Sequence, residues 1–181
     1  MLRNTTASWG TVQQTLHWLI VALVVAQLLV GMTFADLSPD DPLHQSLFPV
    51  HTTIGVSILI IMSVRLLWRI VNPVPALPDG LSSGQKTLAH ATHWLFYLIL
   101  IGMPLGGYMM VNAMGHPVPF FGFELPQIIP KNEHLASGLK TFHSLGAAIL
   151  TVLIALHIAG ALRHRYMLKD GVLKRMAPFW K

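Results

Sequence analysis

LKTFHSLGAAILTVLIALHIAGALRHR, residues 139–165, decides the fold. Between Lys140 and Arg163 it carries no formal charge, a run long enough to cross the hydrocarbon core as a helix of about 20 residues. Two histidines interrupt it. His143 and His157 stand fourteen residues apart, close to four helical turns, so both rings lie on one face, roughly 21 Å apart along the axis. Histidine is costly inside a bilayer and has a functional reason to be there by default.

Three more apolar segments lie upstream, at about 16–34, 50–71 and 95–111. The 181 residues are 53% hydrophobic and only 10% charged, with a mean hydropathy of +0.57. That excludes disorder and argues against a soluble domain. The expected fold is all-α, a transmembrane four-helix bundle forming a single membrane domain over 1–181, with spans at about 13–35, 50–71, 86–111 and 136–166. Pro104 after Gly102 should kink the third helix, and Gly106-Gly107 should let a neighbour pack closely. The long proline-rich connection 112–137 should fold back over one end of the bundle, and the basic tail 167–181 should lie along the opposite surface.

Charge sets the expected orientation. With both termini on one side, that side holds Arg3, Arg65, Arg69, Lys86, Arg163, Arg165, Lys169, Lys174, Arg175 and Lys181, ten of the twelve basic residues. The other side has Lys131 and Lys140 against Asp36, Asp40, Asp41, Glu124 and Glu133. Lys and Arg accumulate on the cytoplasmic side, so N- and C-termini should be cytoplasmic in a multi-pass protein of the bacterial inner (plasma) membrane. The basic balance therefore reports topology, and no nucleic-acid partner is implied. Membrane lipid is the obligatory partner, and self-association as a homo-oligomer is compatible with such a bundle. Thr33-Phe34-Ala35 loosely resembles a signal cleavage site, but the preceding apolar run is too long for a signal peptide and carries His17 and Gln27.

With no cysteine in the chain, thiolate ligation, iron–sulfur clusters and covalent haem attachment are excluded. Histidine chemistry remains. His17 and His51 sit near the starts of the first and second spans, which run in opposite directions, so they fall at the depths of His157 and His143 respectively. Neutral imidazoles from facing helices can take both axial positions of a haem iron and leave no open site, which suits electron transfer rather than oxygen binding. Gly55, Gly146 and Gly160 each share a face with one of these histidines and should leave room for a porphyrin edge. His90 and His93, near the depth of His17, are rivals for the inner position. His164 lies at the membrane edge, where a haem propionate or water could meet it. His44, His116 and His134 are expected in loops, facing solvent. Arg65 and Arg69 could neutralise propionates or anionic headgroups.

The chain resembles the bacterial cytochrome b561 family of small dihaem membrane cytochromes. The likeness is carried by LHW at 16–18, VHTTIGVSILIIMSVRLLWR at 50–69 and LAHATHWLFYLILIGMPLGGYMM at 88–110. It continues through PFFGFELP at 119–126, LKTFHSLGA at 139–147 and LHIAGALRHRYMLKDGVLKRM at 156–176. The resemblance implies two haem b, with His17, His51, His143 and His157 as axial ligands to haem iron, paired His51 with His143 and His17 with His157. It also implies electron transfer between a periplasmic donor and the membrane quinone pool, and, for some members, superoxide oxidation coupled to ubiquinone reduction. Ubiquinone would then be a bound substrate, and the cluster Arg65, Arg69, His90, His93 and His164 is the expected propionate or quinone site. Two rivals stand beside this reading. One is a haem-bearing membrane anchor for a periplasmic dehydrogenase. The other is a His-rich metal transporter, which would want midplane carboxylates that the sequence lacks.

Overall fold

A computed structural model describes residues 1–78 and 80–177. Four long helices dominate: α1 Thr11–Phe34, α2 Pro42–Ile70, α3 Ser83–Ala113 and α4 Glu133–Arg163. All four are long and apolar enough to cross a membrane. A two-stranded antiparallel hairpin, β1 Val118–Phe120 and β2 Phe123–Leu125, joins α3 to α4. A π-helical turn, His164–Leu168, extends α4, and a short helix α5, Val172–Met176, follows.

Side-chain oxygens at the entries fix three of the helix starts. Asp41 accepts from the Leu43 amide at 2.8 Å, and Pro42 takes the first helical position, where its missing N–H costs nothing. The second helix therefore begins eight residues before the expected 50, because Ser-Pro-Asp-Asp-Pro ends as a cap rather than as a loop. His44 consequently sits in α2, half-buried beside Phe34 and Phe48 rather than in solvent. Ser82 and Gln85 form a reciprocal capping box for α3. Asn132 caps α4, which starts before the expected 136 and includes the exposed His134. Neither Pro49 nor Pro104 interrupts its helix.

The bundle is apolar outside as well as inside. Leu29, Ile60, Leu67, Leu98, Val152 and Leu156 are each more than half exposed, the surface a bilayer requires and water penalises. The buried centre is one layer: Ile20 and Val24 from α1, Ile58 and Met62 from α2, Tyr97, Leu100 and Met103 from α3, and Leu150 from α4. Seven residues separate Leu150 from each of His143 and His157, so this layer lies midway between the two histidine levels. The glycines 106 and 107 do bring α3 against α4: a Cβ on Gly106 would stand 3.2 Å from the Phe142 ring.

Each end of the bundle is closed differently. The hairpin docks on α2, with Thr52 donating to the Pro119 carbonyl at 2.8 Å and the Phe121 amide donating to Thr53 Oγ1. The fully buried Asn112 anchors the rest of that connection, its Oδ1 accepting from Ile128 N at 2.8 Å and its amide donating to the His116 carbonyl. So the connection covers one end of the bundle, as its prolines and aromatics suggested. At the other end Gln14 and Trp18 of α1 donate to the carbonyls of Arg175 and Met176, and Arg175 donates to the Ala76 carbonyl. The N-terminal segment folds back so tightly that a Cβ on Gly10 would clash with the backbone of Leu2 and Arg3. Lys181, counted above among the cations of this side, lies outside the described residues.

Replacing Asn112 by Ala strands the Ile128 amide and the His116 carbonyl in a buried site. The expected cost is about 1–3 kcal/mol, read as a lower Tm of the detergent-solubilised protein and faster proteolysis within 114–132.

Candidate functional site

Two histidine levels result from this packing. At the hairpin side, His51 of α2 and His143 of α4 have ring centroids 6.0 Å apart. At the side of the termini, His157 of α4 lies 6.4 Å from His17 of α1 and 6.0 Å from His93 of α3. An imidazole nitrogen binds a transition metal at about 2 Å; two rings on opposite faces of one iron then have centroids roughly 6 Å apart. Both levels fit that spacing. His157 has two neighbours that meet it, so spacing alone leaves His17 and His93 as alternatives there. His90, three residues before His93, is exposed and contributes no ring contact among the described residues.

The glycines that the histidines touch differ from those expected. A Cβ on Gly31 would stand 3.1 Å from His51 Cε1, and one on Gly107 would stand 3.2 Å from His143 Cε1. Gly55 instead faces the Gln27 amide at 3.2 Å, Gly146 faces Met103 and Gly160 faces open space. A glycine on the histidine's own helix shares its face but not its contact; the close approach comes from the neighbouring helix. Gln27 was also not anticipated as a site residue. Its Nε2 lies 3.1 Å from His51 Nε2, while Gln27 Oε1 and His51 Nδ1 are buried without a hydrogen-bond partner. Unsatisfied polar atoms at this depth mark a place built for a further group.

At the other level the unsatisfied atoms are those of a guanidinium, a phenol and an indole. Arg65 Nε, Tyr97 Oη and Trp68 Nε1 are buried without a partner. Arg65 lies over the Tyr97 ring at 5.8 Å. Arg69 lies within 6.0 Å of three rings, those of Trp9, Trp94 and Tyr97, close enough for cation–π attraction. Among the described residues no carboxylate pairs with either arginine; the two ion pairs there are Lys131–Glu133 and His164–Asp170. A buried guanidinium without an anion is costly, so this corner suits a group that brings carboxylates. His164 is not free for such a role, since its Nδ1 is held by Asp170 Oδ2 at 2.6 Å. The residues thus fit a porphyrin: paired imidazoles at both levels, glycine clearance beside His51 and His143, and arginines near the terminal-side pair.

The profile of prokaryotic cytochrome b561 matches residues 8–179. The chain belongs to that family. It is 32% identical over 174 residues to the probable superoxide oxidase CybB of Yersinia pestis, covering 94% of this chain and 96% of that one. It is 29% identical over 174 residues to cytochrome b561 homolog 2 of Escherichia coli K12, covering 96% and 93%. It is also 29% identical over 170 residues to cytochrome b562 of Cereibacter sphaeroides, covering 91% of each. This cytochrome is therefore a multi-pass inner-membrane electron-transfer protein of a family that carries b-type haem.

Gly107→Val should drive its side chain into the His143 ring. Overpacking of this kind costs about 1–3 kcal/mol. The haem-to-protein ratio, measured by pyridine haemochrome, should fall while helical circular dichroism is retained.

Proposed function

We propose that this cytochrome carries two haem b and relays electrons across the inner membrane, from a periplasmic donor to quinone. The observation that carries the reading is the double use of α4: His143 and His157 each face a histidine of another helix at roughly the separation one iron requires. The axial pairs are His51 with His143 and His17 with His157. His17 is preferred to His93 because α1 then mirrors α2, each giving one ligand opposite α4. Family resemblance supports the same choice. When bound, the haems supply reversible one-electron chemistry. The chain would supply four imidazoles to hold the haem irons, helix packing that excludes water, and Arg65 and Arg69 to hold propionates.

The ten-to-two partition of basic residues supports cytoplasmic termini. His51 and His143 then lie toward the periplasm, and the arginine-rich level lies toward the cytoplasm. Quinone is placed beside that level, with Arg65, Arg69, His90 and His93 around it; His164, held by Asp170, is left out of this group. Quinone reduction consumes two electrons and two protons, so the relay acts twice per molecule. Histidine side chains beside the pair, His93 closest, hand the protons on.

Two donors fit. A relative is named a probable superoxide oxidase, and superoxide could give its electron at the periplasmic level. Electrostatics opposes fast capture of an anion there, because Asp36, Asp40 and Asp41 fringe that end and Lys131 is paired with Glu133 at 3.4 Å. A protein donor is favoured by the hairpin, which exposes Phe121 and Phe123 by 68% and 75% beside α2. Exposed aromatics of this size suit an interface. Metal transport loses its basis once the chain belongs to a cytochrome family.

His143→Ala should lower the haem count from two per chain to one, and His93→Gln should leave it at two while slowing quinone reduction. Loss of a haem in His93→Gln would make His93 the ligand and return His17 to the core. A spectrum showing no haem after haem-replete expression would end the electron-relay reading. If superoxide is the donor, changing Asp36, Asp40 and Asp41 together to Asn should raise its rate of haem reduction by about 2- to 10-fold at low salt. The rate with a neutral reductant should not change.

A further inference from the structure

Beyond α4 the chain makes a compact basic turn that electron transfer does not use. The π-helical turn His164–Leu168 ends in Lys169, whose φ of 51° and ψ of 32° place a non-glycine residue in the left-handed region. Gly171 follows, also left-handed at φ 74°. Such a conformation persists only where its surroundings hold it. Asp170 is the clamp: its two carboxylate oxygens take His164 Nδ1 at 2.6 Å and the Val172 amide at 3.1 Å.

Clamping has a consequence for charge. Asp170 is committed to His164 and the Val172 amide. A cavity of about 420 Å³ opens between the turn and α5, lined by Arg165, Tyr166, Lys169, Gly171, Leu173 and Lys174. Lys169 and Lys174 are exposed and form no ion pair or hydrogen bond among the described residues. Among the described residues no acidic side chain lines the cavity. Its size is that of a small-ligand site. Its wall combines three cations, a phenol and one apolar side chain.

Position narrows the ligand. The cavity begins where the apolar surface of α4 ends, flanked by the outward-facing Leu162, Tyr166 and Met167, exposed by 39%, 61% and 74%. That is headgroup depth in a bilayer. Basic pockets at this level suit phosphate-bearing headgroups. We propose that this cavity binds a phosphate anion through Lys169 and Lys174, supplied by an anionic phospholipid or by a free phosphate compound. The inference rests on the turn and the end of α4 alone, and it stands whichever donor or acceptor the cytochrome uses.

The test uses the purified haem-loaded protein, wild type and the Lys169→Gln/Lys174→Gln double variant, exchanged into detergent with phosphatidylglycerol, phosphatidylcholine or sodium phosphate. Native mass spectrometry counts retained lipid, and thermal unfolding reads stabilisation. A lipid site gives retained phosphatidylglycerol over phosphatidylcholine, reduced about tenfold or more in the double variant, with no effect of sodium phosphate. A free-phosphate site gives stabilisation by sodium phosphate that the double variant loses, without lipid preference. Lack of preference for either anion, or a preference the double variant keeps, overturns the proposal. Equal haem content and helical signal in the two proteins shows that the substitutions spared the fold, and Lys174→Gln alone serves if they do not.

Discussion

A polar ring inside hydrocarbon must find a partner, and the rest of this bundle is arranged around that requirement. Burying an unpaired imidazole costs free energy that the apolar contacts of a thin, lipid-exposed bundle do little to offset. The chain meets the problem twice on one helix, at His143 and His157, and each time another helix answers with a histidine. Leu150 stands midway between them and, with Met62, Ile58 and Leu100, forms the dry layer that keeps the two levels apart. The layer also explains why so few residues are buried. In a membrane the helices need no thick core, only contact at the levels where something must be held.

How much of this could be read from the sequence depended on whether the deciding contact was within a helix or between helices. Span number and the matching of histidine depths came from length and spacing along single helices, which the bilayer thickness constrains strongly. The start of α2 is not legible in the sequence, because Asp41-Pro42 reads equally as a turn and as a cap with proline in the first turn. Only the Asp41 bond to the Leu43 amide separates the two. Gly31 and Gly107 were not linked to the histidines because rotation between neighbouring helices decides which glycine a ring meets. Gln27 could have been noticed as a lone amide in an apolar run, but its partner His51 could not be named without that rotation. The His164–Asp170 pair escaped notice because a π-helical turn alters the spacing that an α-helical count assumes.

The two ends of the bundle differ in what holds them. At the hairpin end, side chains of α2 and α3 reach the backbone of a loop: Thr52 to Pro119, Asn112 to Ile128, Tyr108 to Pro126. Those bonds shield His51 while leaving Phe121 and Phe123 outward. At the terminal end, three separate pieces of chain are tied together: α1 to α5, α5 to residue 76, and Ala76 to Thr6. A closed surface there can exclude water from the arginines beneath it. An open apolar tip at the hairpin end is suited to contact.

This asymmetry also bears on the direction proposed for the relay. Adding an electron to a haem lowers its charge by one, so nearby cations stabilise the reduced form and nearby anions oppose it. With the axial pairs proposed here, the terminal-side level has Arg65 and Arg69 close by with no carboxylate to neutralise them among the described residues. The hairpin-side level lies under the end that carries Asp36, Asp40 and Asp41. Coulomb interactions across a medium of low dielectric are strong enough for one or two such charges to separate the potentials of otherwise similar sites. Porphyrin propionates would cancel part of the arginine charge, but they need a cation at either level, and the terminal-side level supplies two. On the proposed reading these charges favour the reduced state on the arginine side, in keeping with the proposed periplasmic donor and cytoplasmic-side acceptor.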